Sequence, residues 1–98
     1  TLFRSDVFAL TVNGDSMIDA CIADGDMVLM EPIKDSYSLR NGTIVSAMVP
    51  GLGTTLKYFF KRGEKVFLEA ANSSYKPIEL DLEQVLFQGK LLAVWRKV

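Results

Sequence analysis

The sequence contains no histidine and a single cysteine, Cys21. The first absence excludes His-based catalytic triads, histidine metal centres and imidazole acid–base chemistry. The second excludes an internal disulfide and a four-cysteine zinc site, and fits a reducing, cytoplasmic setting. Charge of one sign is also lacking: 11 basic side chains face 12 acidic ones. The only basic cluster, Lys61, Arg62 and Lys65, has Glu64 inside it. Such a balance leaves no electrostatic footprint for nucleic acid, so no direct nucleic-acid binding by this domain is expected. No apolar run reaches transmembrane length and the first residues lack a signal-peptide shape, so no membrane association is expected either. Ninety-eight residues are enough for one domain and one modest core. The chain starts at Thr1, without methionine, and reads as a fragment or a processed product.

What is present is strand. Phe8, Leu10 and Val12 alternate over residues 7–13, the period of a half-buried strand. Met27 to Met30 is a short strand ended by Pro32, and residues 33–40 are loop-like. Thr43 to Val49 is β-branched and follows the turn Asn41-Gly42. Pro50-Gly51-Leu52-Gly53 punctuates, as a hairpin would. Thr54 to Phe60 sets Thr55, Lys57 and Phe59 on one side and Leu56, Tyr58 and Phe60 on the other. Further strands are expected at Lys65–Ala70, Tyr75–Leu80, Val85–Phe87 and Leu91–Trp95, with Gln88-Gly89 dividing the last two. Between Ser16 and Ile22 the period changes: Met17, Ile18, Cys21 and Ile22 fall on one face of a short helix. The fold class is mostly β: a compact domain of short strands with one short helix.

Two polar side chains sit where chemistry is possible. Ser16, in Gly14-Asp15-Ser16-Met17, lies at a strand-to-helix junction, among backbone N–H groups without helical partners. Gly14 leaves room for a peptide backbone to approach. The plainer role for Asp15 or Ser16 is that of a helix cap. Lys57 is a lone lysine in an apolar run. A lysine serves as a base near neutral pH only if burial disfavours its charged form, at about 1.4 kcal/mol per unit of lowered pKa. The plainer role for Lys57 is a solvated strand face. Asp15, Asp24 and Asp26 read as caps and turns rather than metal ligands, and Cys21 as buried packing. Tyr75 and Trp95 read as core or interface residues. Leu91 to Trp95, apolar on both faces, fits a central strand or a subunit interface.

Taken in order, these stretches resemble the LexA/UmuD family of self-cleaving proteins, the S24 serine–lysine peptidases. The pattern is Gly14-Asp15-Ser16-Met17, the apolar turn Ile18 to Ile22, Asp24-Gly25-Asp26, Asn41-Gly42, Thr55-Leu56-Lys57, Asn72-Ser73-Ser74-Tyr75-Lys76-Pro77-Ile78 and Gly89-Lys90-Leu91. The resemblance spans nearly the whole chain. It implies the catalytic-domain fold of that family, with Ser16 as nucleophile, Lys57 as general base, and the main-chain N–H groups of Ser16 and Met17 as oxyanion hole. It implies acyl transfer with no cofactor and no metal. The substrate would be the chain's own upstream cleavage segment, cut after a small residue, as in Ala-Gly or Cys-Gly. No such bond precedes Ser16, so residues 1–98 are expected to be one peptidase and dimerisation domain, lacking the cleavage segment and any N-terminal DNA-binding domain. Signal peptidases also pair serine with lysine, but usually place proline where Ile18 stands.

The family implies a homodimer through the C-terminal part and a RecA filament on single-stranded DNA as co-protease. Two functions fit: a LexA-like or prophage repressor of the DNA-damage (SOS) response, and a UmuD-like accessory subunit of an error-prone polymerase. A third possibility is a dimerisation domain that has lost activity. The loop Pro50–Gly53, longer than the usual turn, is expected to bear on the substrate cleft.

Overall fold

The computed structural model describes residues 6–97. Seven antiparallel strands form one sheet in the order β1-β2-β7-β3-β4-β5-β6. They are β1 (Phe8–Thr11), β2 (Met27–Pro32), β3 (Thr43–Val49), β4 (Gly53–Arg62), β5 (Lys65–Glu69), β6 (Ile78–Asp81) and β7 (Leu86–Trp95). Three 3₁₀ turns complete the described residues: Ile18–Ala20, Ser36–Ser38 and Leu82–Gln84. The expected mostly-β architecture is what the chain adopts, and the helix expected after Ser16 is a single three-residue 3₁₀ turn.

Alternation divides the buried side chains into two cores. Val45, Ala47 and Val49 of β3 pack with Phe59, Val66, Leu68 and Phe87. The rings of Phe59 and Phe87 meet edge to face at 5.3 Å, the arrangement favoured by the ring quadrupoles. A second core joins Val28 and Met30 of β2 to Met17, Ile22 and Ala71, with Leu10, Leu56 and Tyr58 packed against it. Met17 is thus an anchor: it buries the residue next to Ser16 and so fixes the turn to the sheet.

Gln88-Gly89 does not divide two strands. Leu86–Trp95 is one continuous strand at the centre of the sheet, with irregular register at two points. Opposite β3, Gly89 faces Ser46 and Phe87 faces Ala47, which leaves Gln88 as the extra residue of a bulge. Gly89 marks a close approach rather than a turn. A Cβ there would lie 2.7 Å from Phe8 Cζ and 3.0 Å from Met30 Cβ. Gly89→Ala is therefore expected to destabilise the fold by about 1–3 kcal/mol, the usual cost of overpacking, as read from the urea midpoint.

The apolar face expected on the turn after Ser16 is also redistributed. Met17 and Ile22 are buried, but Ile18 and Cys21 are exposed. A 3₁₀ turn repeats every three residues, so the α-helical spacing does not apply. Cys21 then ends the turn in the left-handed region, at φ 63°, and its side chain leaves the core. The strand expected over Tyr75–Leu80 is shorter, Ile78–Asp81, begins after Pro77, and lies at a sheet edge.

Candidate active site

Ser16 lies between β1 and the 3₁₀ turn, on a segment with no regular structure of its own. Local bonds shape it. Gly14, at φ 89°, donates its N–H to Asp24 Oδ1 at 2.7 Å. Across the loop base the Val12 N–H donates to the Asp26 carbonyl and the Val12 carbonyl accepts from the Gly25 N–H, both at 2.8 Å. Asp15 does not cap the turn with its side chain, and neither does Ser16. Among the described residues the N–H groups of Ser16 and Met17 meet no acceptor.

Lys57 is central in β4 and only 8% exposed. Across the ladder it faces Val45, which is fully buried. Its Nζ lies 3.0 Å from Ser16 Oγ, 2.6 Å from Thr55 Oγ1 and 3.1 Å from the Leu56 carbonyl oxygen. No carboxylate pairs with it among the described residues. Burial without a counter-charge pushes its pKa below the ordinary 10.5. Three neighbours match three positions on a neutral amine. Nζ donates to Thr55 and Leu56, and an amine freed of its extra proton would turn its lone pair to the Ser16 hydroxyl.

A cavity of about 410 Å³ opens over the pair, lined by Leu10, Val12, Ser16, Val28, Leu56 and Lys57 among others. β4 pairs with β3 along its whole first half, but with β5 only from Tyr58 onward. The second edge of Gly53–Lys57 therefore has no strand partner among the described residues, and Thr54 and Thr55 reach the cavity. Pro50 and Gly51 line a different hollow, beside Val85 and Leu86. The arrangement can perform nucleophilic acyl transfer: an oriented hydroxyl, a desolvated amine and two free N–H groups beside a cavity of mixed polarity.

The family model described as Peptidase S24-like matches residues 1–92. The chain belongs to that family. It is 42% identical over 92 residues to a LexA repressor of Koribacter versatilis, covering 94% of this chain and 42% of the relative. A LexA repressor of Zymomonas mobilis is 38% identical over 90 residues, covering 92% of this chain and 40% of the relative. One from Thermotoga neapolitana is 45% identical over 91 residues, covering 93% and 44%. The chain thus spans about two-fifths of the length of these curated relatives.

Three features of the site were not evident in the sequence. Thr55 is the nearest neighbour of Nζ, at 2.6 Å. Thr55→Val keeps the shape but removes this acceptor, and is expected to slow the reaction by about 10–100-fold with little change in stability, read from single-turnover cleavage. The second is an ion pair. Asp26, 2% exposed, accepts from Arg96 Nε and Nη2, both at 2.7 Å, and from the Ala23 N–H at 2.8 Å. Arg96 also reaches the Cys21 carbonyl at 3.2 Å. The last residues after β7 thus pin the loop that leaves the Ser16 turn. The third is the segment 71–75, which bonds the turn on both sides of Ser16. Asp15, Asp24 and Asp26 each accept from protein donors, as turn and loop residues do.

Proposed function

We propose that this chain is the self-cleaving peptidase domain of a LexA-like repressor. The observation that carries the reading is the buried Lys57 Nζ at 3.0 Å from Ser16 Oγ. Neutral Lys57 takes the hydroxyl proton as Ser16 attacks the scissile carbonyl. The N–H groups of Ser16 and Met17 receive the oxyanion. Lys57 returns the proton to the leaving amine, and water then hydrolyses the acyl-enzyme. No metal or cofactor enters this scheme.

The substrate is the chain's own upstream segment, entering extended along the open edge of Gly53–Lys57 by strand addition. The repressor role is favoured over a polymerase subunit because the three relatives above all bear the name LexA repressor. The domain reading of residues 1–98 includes homodimerisation. The ends of β2 and β7 leave Met27, Leu29 and Trp95 exposed, and Met27 and Leu29 pair with Trp95 and Ala93 across the two strands. A cytoplasmic setting with a RecA–single-stranded-DNA filament as trigger completes the reading; none of the described helices is long and apolar enough to cross a membrane.

The test is self-cleavage of the full-length chain, followed by mass spectrometry from about pH 7 to 10. A single cut that accelerates with pH and is lost in Ser16→Ala is the expected result, and its mass identifies the bond. No cut in a folded dimer, even with RecA filaments added, would favour a binding domain without activity.

A further inference from the structure

The Ala71–Tyr75 segment holds the nucleophile turn from both sides. The Ala71 carbonyl accepts from the Asp19 N–H at 2.8 Å, and Asn72 Nδ2 donates to the Asp15 carbonyl at 2.9 Å. Tyr75 Oη donates to Asp15 Oδ1 at 2.6 Å, a short, charge-assisted bond. The segment is itself braced. Asn72 accepts at Oδ1 from the Ser74 N–H, and its carbonyl accepts from the Tyr75 N–H.

The Asp15 carboxylate is a hazard in this place. It adjoins Ser16, and among the described residues Asp15 and Tyr75 are the only titratable groups besides Lys57 lining the shared cavity. A carboxylate that swung to the amine would favour its charged form, the form that cannot act as a base. Neutral neighbours alone surround Nζ as it stands.

We propose that Tyr75 is a positioning residue of the site: by holding the Asp15 carboxylate it keeps that charge off the Lys57 amine, while Asn72 fixes the main chain that carries Ser16. This rests on the serine–lysine reading above. The Tyr75 phenol is suited to the task over the alkaline range, since its hydrogen bond to Asp15 raises its pKa above the ordinary 10.0 and preserves the donor.

The experiment measures self-cleavage of the full-length chain from pH 6 to 10 for wild type, Tyr75→Phe, Asn72→Ala and the double variant Tyr75→Phe/Asp15→Asn. Tyr75→Phe is expected to be about tenfold slower at the acidic end and to approach wild type as pH rises, because rising pH deprotonates the amine in both. Adding Asp15→Asn is expected to restore most of the acidic-end rate. Asn72→Ala is expected to lower the rate evenly across pH. An even loss in Tyr75→Phe, no loss, or no recovery in the double variant would overturn the proposal. Should Tyr75→Phe fail to fold, Asp15→Asn alone decides: it keeps an acceptor for the phenol and removes the charge. An acidic-end rate at or above wild type supports the proposal, and a slower one contradicts it. Ser16→Ala runs beside them. A wild-type chain without Ser16-dependent cutting refutes the reaction itself, and the proposal with it, whereas Ser16-dependent cutting with an unchanged Tyr75→Phe profile refutes the Tyr75 role alone.

Discussion

Ser16→Ala and Lys57→Ala are each expected to slow self-cleavage of the full-length chain by about 10⁴-fold or more, and the double variant to lose no more than either alone. A nucleophile and its base act as one unit, so removing one strands the other. Lys57→Arg is expected to be equally inert. Arginine keeps the charge and length but holds its proton at any usable pH, so its failure separates a base from a mere cation. Lys57→Met is the matched stability control. The buried amine has a lower pKa folded than unfolded, so the folded state binds fewer protons and wild-type stability rises with pH up to about 10.5. Methionine lacks this dependence. Its advantage over lysine is expected to be largest at low pH and to shrink as pH climbs, read from melting temperatures across pH 6–10. Single-turnover gels at several pH values measure the rates.

The second large effect concerns Arg96. Arg96→Met is expected to lower the melting temperature by on the order of 10 °C at pH 7, because the buried Asp26 carboxylate loses its partner. The sign of the pH dependence follows from Asp26. Its pKa falls from 3.8 to about 2, first through the hydrogen bonds from Arg96 and then through the Ala23 N–H. A carboxylate held below its unfolded pKa stabilises the fold fully above about pH 4, and that contribution fades as pH drops toward 2. Wild type and Arg96→Met should therefore differ most near neutrality and converge in acid. Pairwise replacement by Asp26→Leu with Arg96→Met is expected to recover much of the loss, since an apolar pair leaves no buried charge behind. Thermal melts of the variants from pH 2 to 7 check both statements. Cleavage should fall along with stability in Arg96→Met, because the loop tied by Asp26 runs directly into the Ser16 turn.

The candidate site was legible through the order of its motifs, which carries the family resemblance, since Ser16 and Lys57 taken singly read as a cap and a solvated strand face. Alternation in residues 54–60 places Thr55, Lys57 and Phe59 on one side of β4, but the bond from Nζ to Thr55 shows only in the fold. The motif at residues 14–17 marked the serine by its glycine and its change of period. What escaped was long-range. Nothing near Asp26 announces Arg96, 70 residues away. Gly89 reads as a turn from composition, and only the Phe8 ring lying over β7 shows why a strand carries glycine there. Cys21 differs for another reason: the apolar spacing is α-helical but the turn is 3₁₀, and the left-handed residue at its end is exposed. Tyr75 was read as core or interface, because its partner Asp15 becomes a neighbour only when the 71–75 segment folds over the turn.

The central claim is that a neutral lysine amine faces Ser16. It is tested most directly by an NMR titration of the Lys57 Nζ signal in the full-length Ser16→Ala protein, with Lys57→Met as the assignment control. Lys57 is expected to release its proton below the ordinary 10.5. A Lys57 that keeps its proton up to pH 10.5 would contradict the account.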